Sequence, residues 1–292
     1  MKKHLIAAAL LLSLSGFASA QTVVTVNGTK IDSKEIDNQV SMLVKESNNQ
    51  IQDSPQLRQE IANRLVTRTL LIQAARKQKL DKDPTYLNLI KQAEAKAKEL
   101  GDDKKPEFST QWANFTDEML TQAYLANVIN NNPVKPEQIQ SAYQELVQYY
   151  SGTLEVQLGE IITQDAASAN QAIAALNTKK DFRSVATQYT IDETGRQNGG
   201  IAKSYINLKD LQENAPTVFE AIKNLKKGQF TPYPVQIQPN SSIHVIFYVN
   251  DIKPMEIPSQ KDAEPALVQK LRNVIASSAI EQLYKNANIK KN

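Results

Sequence analysis

Cysteine is missing from all 292 positions, and histidine occurs only twice, as His4 and His244. The first absence removes disulfides, thiolate nucleophiles and every cysteine-based metal site. The second leaves too few imidazoles for a histidine metal centre, and a Ser-His-Asp site has only His244 to recruit if His4 is lost in processing. There is no Walker loop, no GxGxxG after a strand and no GxSxG elbow. Carboxylates are numerous but scattered along helical faces, where solvation accounts for them. These gaps argue against nucleotide, metal and hydrolytic chemistry, and neither a metal nor a cofactor is expected.

What is present begins with a leader. Lys2 and Lys3 precede an apolar run at 5–17, and Ala18-Ser19-Ala20 supplies a small-x-small cleavage pattern. The run is shorter than the roughly 20 residues of a membrane span, so residues 1–20 read as a secretory signal peptide cleaved after Ala20. No later stretch is long and apolar enough to cross a bilayer, so no transmembrane span is expected in the mature chain. Export, with the periplasm as compartment, follows. Cleavage takes away two lysines and leaves 32 basic against 31 acidic residues, a net charge of +1 that gives no reason to expect nucleic acid.

Along the mature chain, 22–26 alternates as a short strand and Asn27-Gly28 signals a hairpin. Asp32 with Glu35 spells a capping box, followed by Ile36, Val40, Leu43 and Val44 at helical spacing. Ser54-Pro55 opens a second helix and Asp83-Pro84 a third, stopped at Gly101. A fourth helix spans about 109–129, and Pro136 opens a fifth. After Gly152 the character changes. A strand is expected at 153–163, helices at about 165–176, 181–189 and from Pro216, a loop at 191–200, and strands at 230–237 and 242–251. A long amphipathic helix at 262–287 cannot bury its own stripe, so it should dock on the N-terminal helices. The whole reads as an α+β protein. A mostly helical domain at 21–150 is joined by a C-terminal helix at 258–292, with a compact α+β domain at 153–253 inserted between them.

Three ordered pieces carry a family resemblance. VTVNGTKI at 24–31 with the helix after it resembles the opening of the exported SurA, PpiD and PrsA folding factors. Asp181-Phe182, Val185-Ala186, Tyr189-Thr190, Asp192 and Gly199-Gly200 follow the parvulin pattern "dF…lA..yS.D…GG". Phe219-Glu220-Ala221, Leu225, Lys227-Gly228 and His244 follow "FeeA…l..G…..G.Hii". The chain therefore resembles exported chaperones with a parvulin-type peptidyl-prolyl isomerase domain inserted into a helical chaperone domain. That resemblance implies catalysis of proline isomerisation in newly exported polypeptides. Its implied partners are unfolded chains with proline-containing and aromatic-rich segments and, in a host with an outer membrane, outer-membrane protein precursors. The alternative is a holdase whose parvulin domain no longer turns over.

By the same resemblance, His244 matches the last-strand histidine, Ser241 a small hydroxyl at the site edge, Asp192 a position that is Asp or Cys, and Phe219 the aromatic of the proline pocket. Three positions depart from the pattern: the first-strand histidine falls on Glu160, and two apolar walls fall on Ala202 and Ala215. Glu160 could pair with a His244 imidazolium or repel the substrate carbonyl. Taken singly, each residue has a plainer reading: His244 as a strand residue, Gly199-Gly200 as a turn, Phe219 as core.

Overall fold

The computed structural model describes residues 21–47, 50–238 and 241–291, so the signal-peptide expectation at 1–20 lies outside the described residues. The chain divides into two compact units, Met1–Val134 with Gln269–Asn292, and Lys135–Val268.

In the first unit, β1 (Thr22–Val26) and β2 (Thr29–Asp32) form an antiparallel hairpin about Asn27-Gly28. Asp32 caps α1 (Ser33–Glu46) by accepting the Glu35 N–H at 2.9 Å. The next helices are α2 (Pro55–Lys77), α3 (Pro84–Leu100) and α4 (Phe108–Asn131). Ser54 and Asp83 cap α2 and α3 through side-chain oxygens, and a proline follows each cap. Proline fits there because its missing N–H belongs to the first turn, which has no intrahelical acceptor. Ile61, Leu65, Val66 and Leu70 of α2 are buried with Val24, Val26, Ile31, Ile36 and Val40 in one core. By contrast α3 buries no residue and leaves Leu87, Leu89 and Leu100 more than two-fifths exposed.

The second unit opens with α5 (Pro136–Tyr150). The sequence groups this helix with the N-terminal domain, but in the structure its end is tied to the other unit. The Tyr150 hydroxyl reaches both Asp210 oxygens at 2.9 and 3.0 Å, and Lys209 Nζ lies 3.8 Å above the Tyr149 ring. Then come β3 (Leu154–Thr163), α6 (Ala166–Asn177), α7 (Phe182–Tyr189), α8 (Glu193–Asn198), β4 (Ile206–Asn207), α9 (Leu208–Asn214), α10 (Pro216–Ile222) and β5 (His244–Pro254). The sheet order is β4-β3-β5, antiparallel throughout. One face packs Ile161 and Ile246 against Ala169, Ile173, Phe182 and Val185 of α6 and α7. The other packs Val156, Leu158, Val245, Phe247 and Val249 against Leu211 and Ile222 of α9 and α10.

Three local expectations change. The loop at 191–200 contains α8, capped by Asp192 and ended by Gly199 in the left-handed region. The expected strand at 230–237 is reduced to isolated pairs, Phe230 with Tyr248 and Val235 with Val245. Pro232 and Pro234 lie between them, and proline cannot donate to a ladder. Finally, β4 and α9 occupy a stretch in which the sequence shows no element.

A long helix, α11 (Gln260–Lys285), and a last strand, β6 (Ile289–Lys291), complete the chain. Leu283, Tyr284 and Ile289 pack on the first unit's core, and β6 pairs with β1. The Tyr284 hydroxyl lies 2.6 Å from that of Thr67.

Candidate functional site

The residues singled out from the sequence converge on the sheet of the second unit, and the strand register decides what each one faces. Glu160 on β3 pairs with Phe247, whereas His244 at the start of β5 pairs with Thr163. Side chains alternate along a strand, so Glu160 leaves on the Phe247 face and His244 on the Ile246 face. The carboxylate and the imidazole are therefore not brought together by the ladder.

His244 sits on the side that carries α6. Its Nδ1–H donates to Ser242 O at 2.8 Å, and its carbonyl lies 3.2 Å from the hydroxyl of Thr163, a fully buried side chain. Asp165, the cap of α6, accepts the Ser168 N–H at 2.7 Å; that bond holds its carboxyl below the usual range, with a smaller contribution from His244. Ser241 serves the loop that delivers His244: its hydroxyl accepts the Ile243 N–H at 3.1 Å, and its N–H donates to Gln238 O at 3.2 Å.

The opposite face carries Phe219 and Ala215, both half-buried against the Phe247 cluster. Ala215 precedes α10, and its carbonyl accepts the Val218 and Phe219 N–H groups at 3.0 Å each. Ala202 is exposed at the sheet edge, where its N–H donates to Leu158 O at 2.9 Å and its carbonyl accepts from Gln157. Neither alanine supplies a wall of any depth. Desolvation, and then the like charge of Asp192, raise the Glu160 carboxyl above the usual range. Glu160 keeps more than a third of its surface open, so solvent tempers that shift.

Asp192 itself is committed to local structure. Its Oδ2 accepts the Gly195 N–H at 2.5 Å, capping α8. Sequence reasoning used Thr190 only as part of the family pattern and gave it no site role; it is buried and joins this segment to β3. Its hydroxyl accepts the Ile162 N–H at 3.1 Å, while Ile191 N–H donates to Ile162 O at 2.8 Å. The family pattern has serine here, and that hydroxyl was the available signal. Gly200 closes the same edge: Glu160 N–H donates to its carbonyl at 2.7 Å, with the glycine at φ +73°.

The first unit offers a different kind of surface. Two hollows of about 400 and 420 Å³ lie along α3 and α4. The first is lined by Tyr86, Leu89 and Met119, among others, the second by Leu100, Phe108, Trp112 and Phe115. Phe108, Trp112 and Phe115 stack in series with centroids 5.7 and 5.4 Å apart. Helical spacing places these aromatics on one side of α4, and Leu100 at the end of α3 lines the same hollow.

Residues 4–97 match the SurA-like N-terminal domain family, and residues 134–265 match the PPIC-type PPIase domain family. The chain is 28% identical to a probable parvulin-type peptidyl-prolyl cis-trans isomerase of Bordetella pertussis over 98% of each chain. It is 26% identical to the foldase protein PrsA of Clostridium botulinum, covering 92% of this chain and 87% of the relative. Among solved structures, PrsA from Streptococcus pneumoniae aligns over 90% of this chain and 91% of its own, at 14% identity and a TM-score of 0.43.

Proposed function

The chain joins a SurA-like N-terminal domain to a PPIC-type peptidyl-prolyl isomerase domain, and on that premise we propose that it is an exported folding factor. It isomerises X-Pro bonds at the Phe219 face of the β3–β5 sheet and holds unfolded, aromatic-rich segments along α3 and α4. The basic and apolar start of the sequence supports export to the periplasm with cleavage after Ala20. Outer-membrane protein precursors suit the second surface, because their alternating strands carry exposed aromatics before folding.

The observation that carries the isomerase reading is Phe219, half-buried at the rim of an apolar cluster on the face that also bears Glu160. Rotation about an X-Pro bond needs neither nucleophile nor metal. Amide resonance sets the barrier at about 18–20 kcal/mol, and lowering it by about 5 kcal/mol accelerates exchange several-thousand-fold. A site does this by gripping the ring, excluding water and favouring the twisted amide over both planar forms. Phe219 provides the grip. Glu160 lies on the same face as Phe219, with its carboxyl raised by desolvation and by the like charge of Asp192. His244, on the other face, shapes the strand start through Ser242 and Thr163.

Exchange NMR on short X-Pro peptides tests this reading. The wild type should accelerate exchange, Phe219→Ala should abolish the acceleration, and His244→Ala should reduce it less. No acceleration in the wild type, with a gain in Glu160→His, would end the isomerase reading and leave a holdase with a silent parvulin domain.

A further inference from the structure

The chain holds two Asn-Gly pairs, Asn27-Gly28 and Asn198-Gly199. Such a pair is open to deamidation because no side chain on the glycine obstructs its backbone nitrogen. That nitrogen attacks the asparagine Cγ, ammonia leaves and a five-membered succinimide forms; water then opens the ring to aspartate or isoaspartate. The step needs no enzyme. It does need the side-chain amide to swing onto the following nitrogen, so whatever holds that amide elsewhere controls the rate.

Asn27 is held by segments far from it in sequence. It and Gly28 sit at φ +48° and +87°, positive as a type I′ turn requires, and both are exposed to water. Asn27 N–H donates to Asn288 O at 2.9 Å, and Asn288 N–H donates back to Asn27 Oδ1 at 2.8 Å. Asn27 Nδ2 donates to Gln73 Oε1 on α2 at 2.9 Å, while Gln73 Nε2 donates to Val26 O at 3.1 Å and to Thr29 Oγ1 at 2.9 Å. Backbone groups at both ends fix the direction of this chain of bonds. Val26 O only accepts, so Gln73 turns its NH2 there and its oxygen to Asn27. Asn288 N–H only donates, so Asn27 turns its oxygen there and its NH2 to Gln73. An aspartate does not fit the same place: one carboxylate oxygen keeps the Asn288 N–H, and the other meets Gln73 Oε1, acceptor against acceptor. Directly after Asn288, β6 pairs with β1 and Ile289 packs on the first unit's core. Asn198 is held locally, its Oδ1 accepting the Gly200 N–H at 2.9 Å.

We propose that Asn27-Gly28 is a deamidation site gated by the C-terminal segment. Docking of residues 288–291 holds the Asn27 amide away from Gly28 N, and conversion of Asn27 to aspartate or isoaspartate releases that segment from β1. The two effects are one coupling seen from either side: docking that the modification undoes must itself oppose the modification. The site therefore converts from the state in which the Asn27–Gln73–Asn288 bonds are open, and its rate reports how often that state is visited.

The test incubates the mature chain in mildly alkaline buffer and follows the amide-to-acid conversion at Asn27 and at Asn198 by mass spectrometry of proteolytic fragments. A synthetic peptide of residues 22–31 gives the ungated rate. Asn27 in the wild type should convert about 10-fold or more slowly than in the peptide, the scale of two or three net hydrogen bonds. Gln73→Ala removes the acceptor of the Asn27 amide, and Ile289→Ala loosens the docking of β6; each should raise the Asn27 rate by about 2- to 10-fold while leaving Asn198 unchanged. Asn27→Asp, which stands for the product, should lose hydrogen-exchange protection across β6 and keep it at Ile161 and Ile246 of the second unit. Wild-type conversion as fast as in the peptide would overturn the gate, as would variants that convert no faster than wild type. Equal acceleration at Asn198 would mean that the variants act by general unfolding and would overturn it too. Full β6 protection in Asn27→Asp would overturn the release.

Discussion

Gly200 is the position at which a single methyl group tests most of the geometry. An added Cβ would lie 2.6 Å from Glu160 O and 2.8 Å from Ala186 Cβ. Neither neighbour is the far end of a flexible side chain, so neither can swing away. The backbone there has φ +73°, where an L side chain costs about 1–2 kcal/mol. Overpacking adds about 1–3 kcal/mol. The expected penalty for Gly200→Ala is therefore about 3 kcal/mol. Gly228 provides the control: its φ is +84°, but nothing lies within 4 Å of its added Cβ, so Gly228→Ala should show only the strain, about 1–2 kcal/mol. For a unit of this size roughly 3–4 °C is lost per kcal/mol, giving roughly 10 °C for Gly200→Ala and roughly 5 °C for Gly228→Ala. Two units need not unfold together, so calorimetry should be paired with hydrogen exchange at Ile161 and Ile246, which report on the second unit alone. Equal penalties for the two variants would refute the reasoning. They would mean that the Gly200 edge does not press on β3 as the structure has it.

Four further outcomes follow from the same geometry. Glu160 has a raised carboxyl, so its stabilising contribution is complete below the unfolded value of 4.5 and is lost as pH rises through the folded value; Glu160→Gln should therefore gain stability over wild type as pH rises above 4.5 in urea titrations, and a constant difference would contradict this. Asp251 is depressed to about 2, first by Lys227 and then by Tyr205, so its contribution is present above the unfolded value of 3.8 and lost toward pH 2; Asp251→Asn should flatten the acid limb of a Tm–pH curve. Asp192→Ala should cost about 1 kcal/mol by removing the α8 cap, with Asp192→Asn much closer to wild type in urea midpoints. Replacing Phe108, Trp112 and Phe115 together by alanine should weaken suppression of client aggregation in light scattering several-fold, while exchange rates on short X-Pro peptides stay unchanged.

The parts of the fold visible in sequence are those set by neighbouring residues. Asp32, Ser54, Asp83, Asp165 and Asp181 each stand before a helix and accept an N–H from its first turn, an interaction spanning at most three residues. Even there the capping box is half formed: Asp32 caps α1, but no return bond from the Glu35 side chain is among those of the described residues. Short elements without local signatures escaped, including β6, whose three residues become a strand only because β1 offers them a partner. The strand expected at 230–237 failed for the opposite reason: its apolar residues pair singly where the prolines allow.

The candidate site divides along the same line. Glu160, Ala202, Ala215, Phe219 and His244 were all nameable from sequence, because the ordered pattern around them spans about a hundred residues. Their facing was not nameable. Whether Glu160 meets His244 depends on a one-residue choice of register between β3 and β5, and that choice moves every side chain to the other face. Identity, capping and apolar period are properties of a chain read in order, so the longer helices and the family pattern were legible before the fold was known. Register, the covering of a strand edge and the exposure of the α3 leucines depend on segments far apart in the chain, so they became visible only once those segments were packed together.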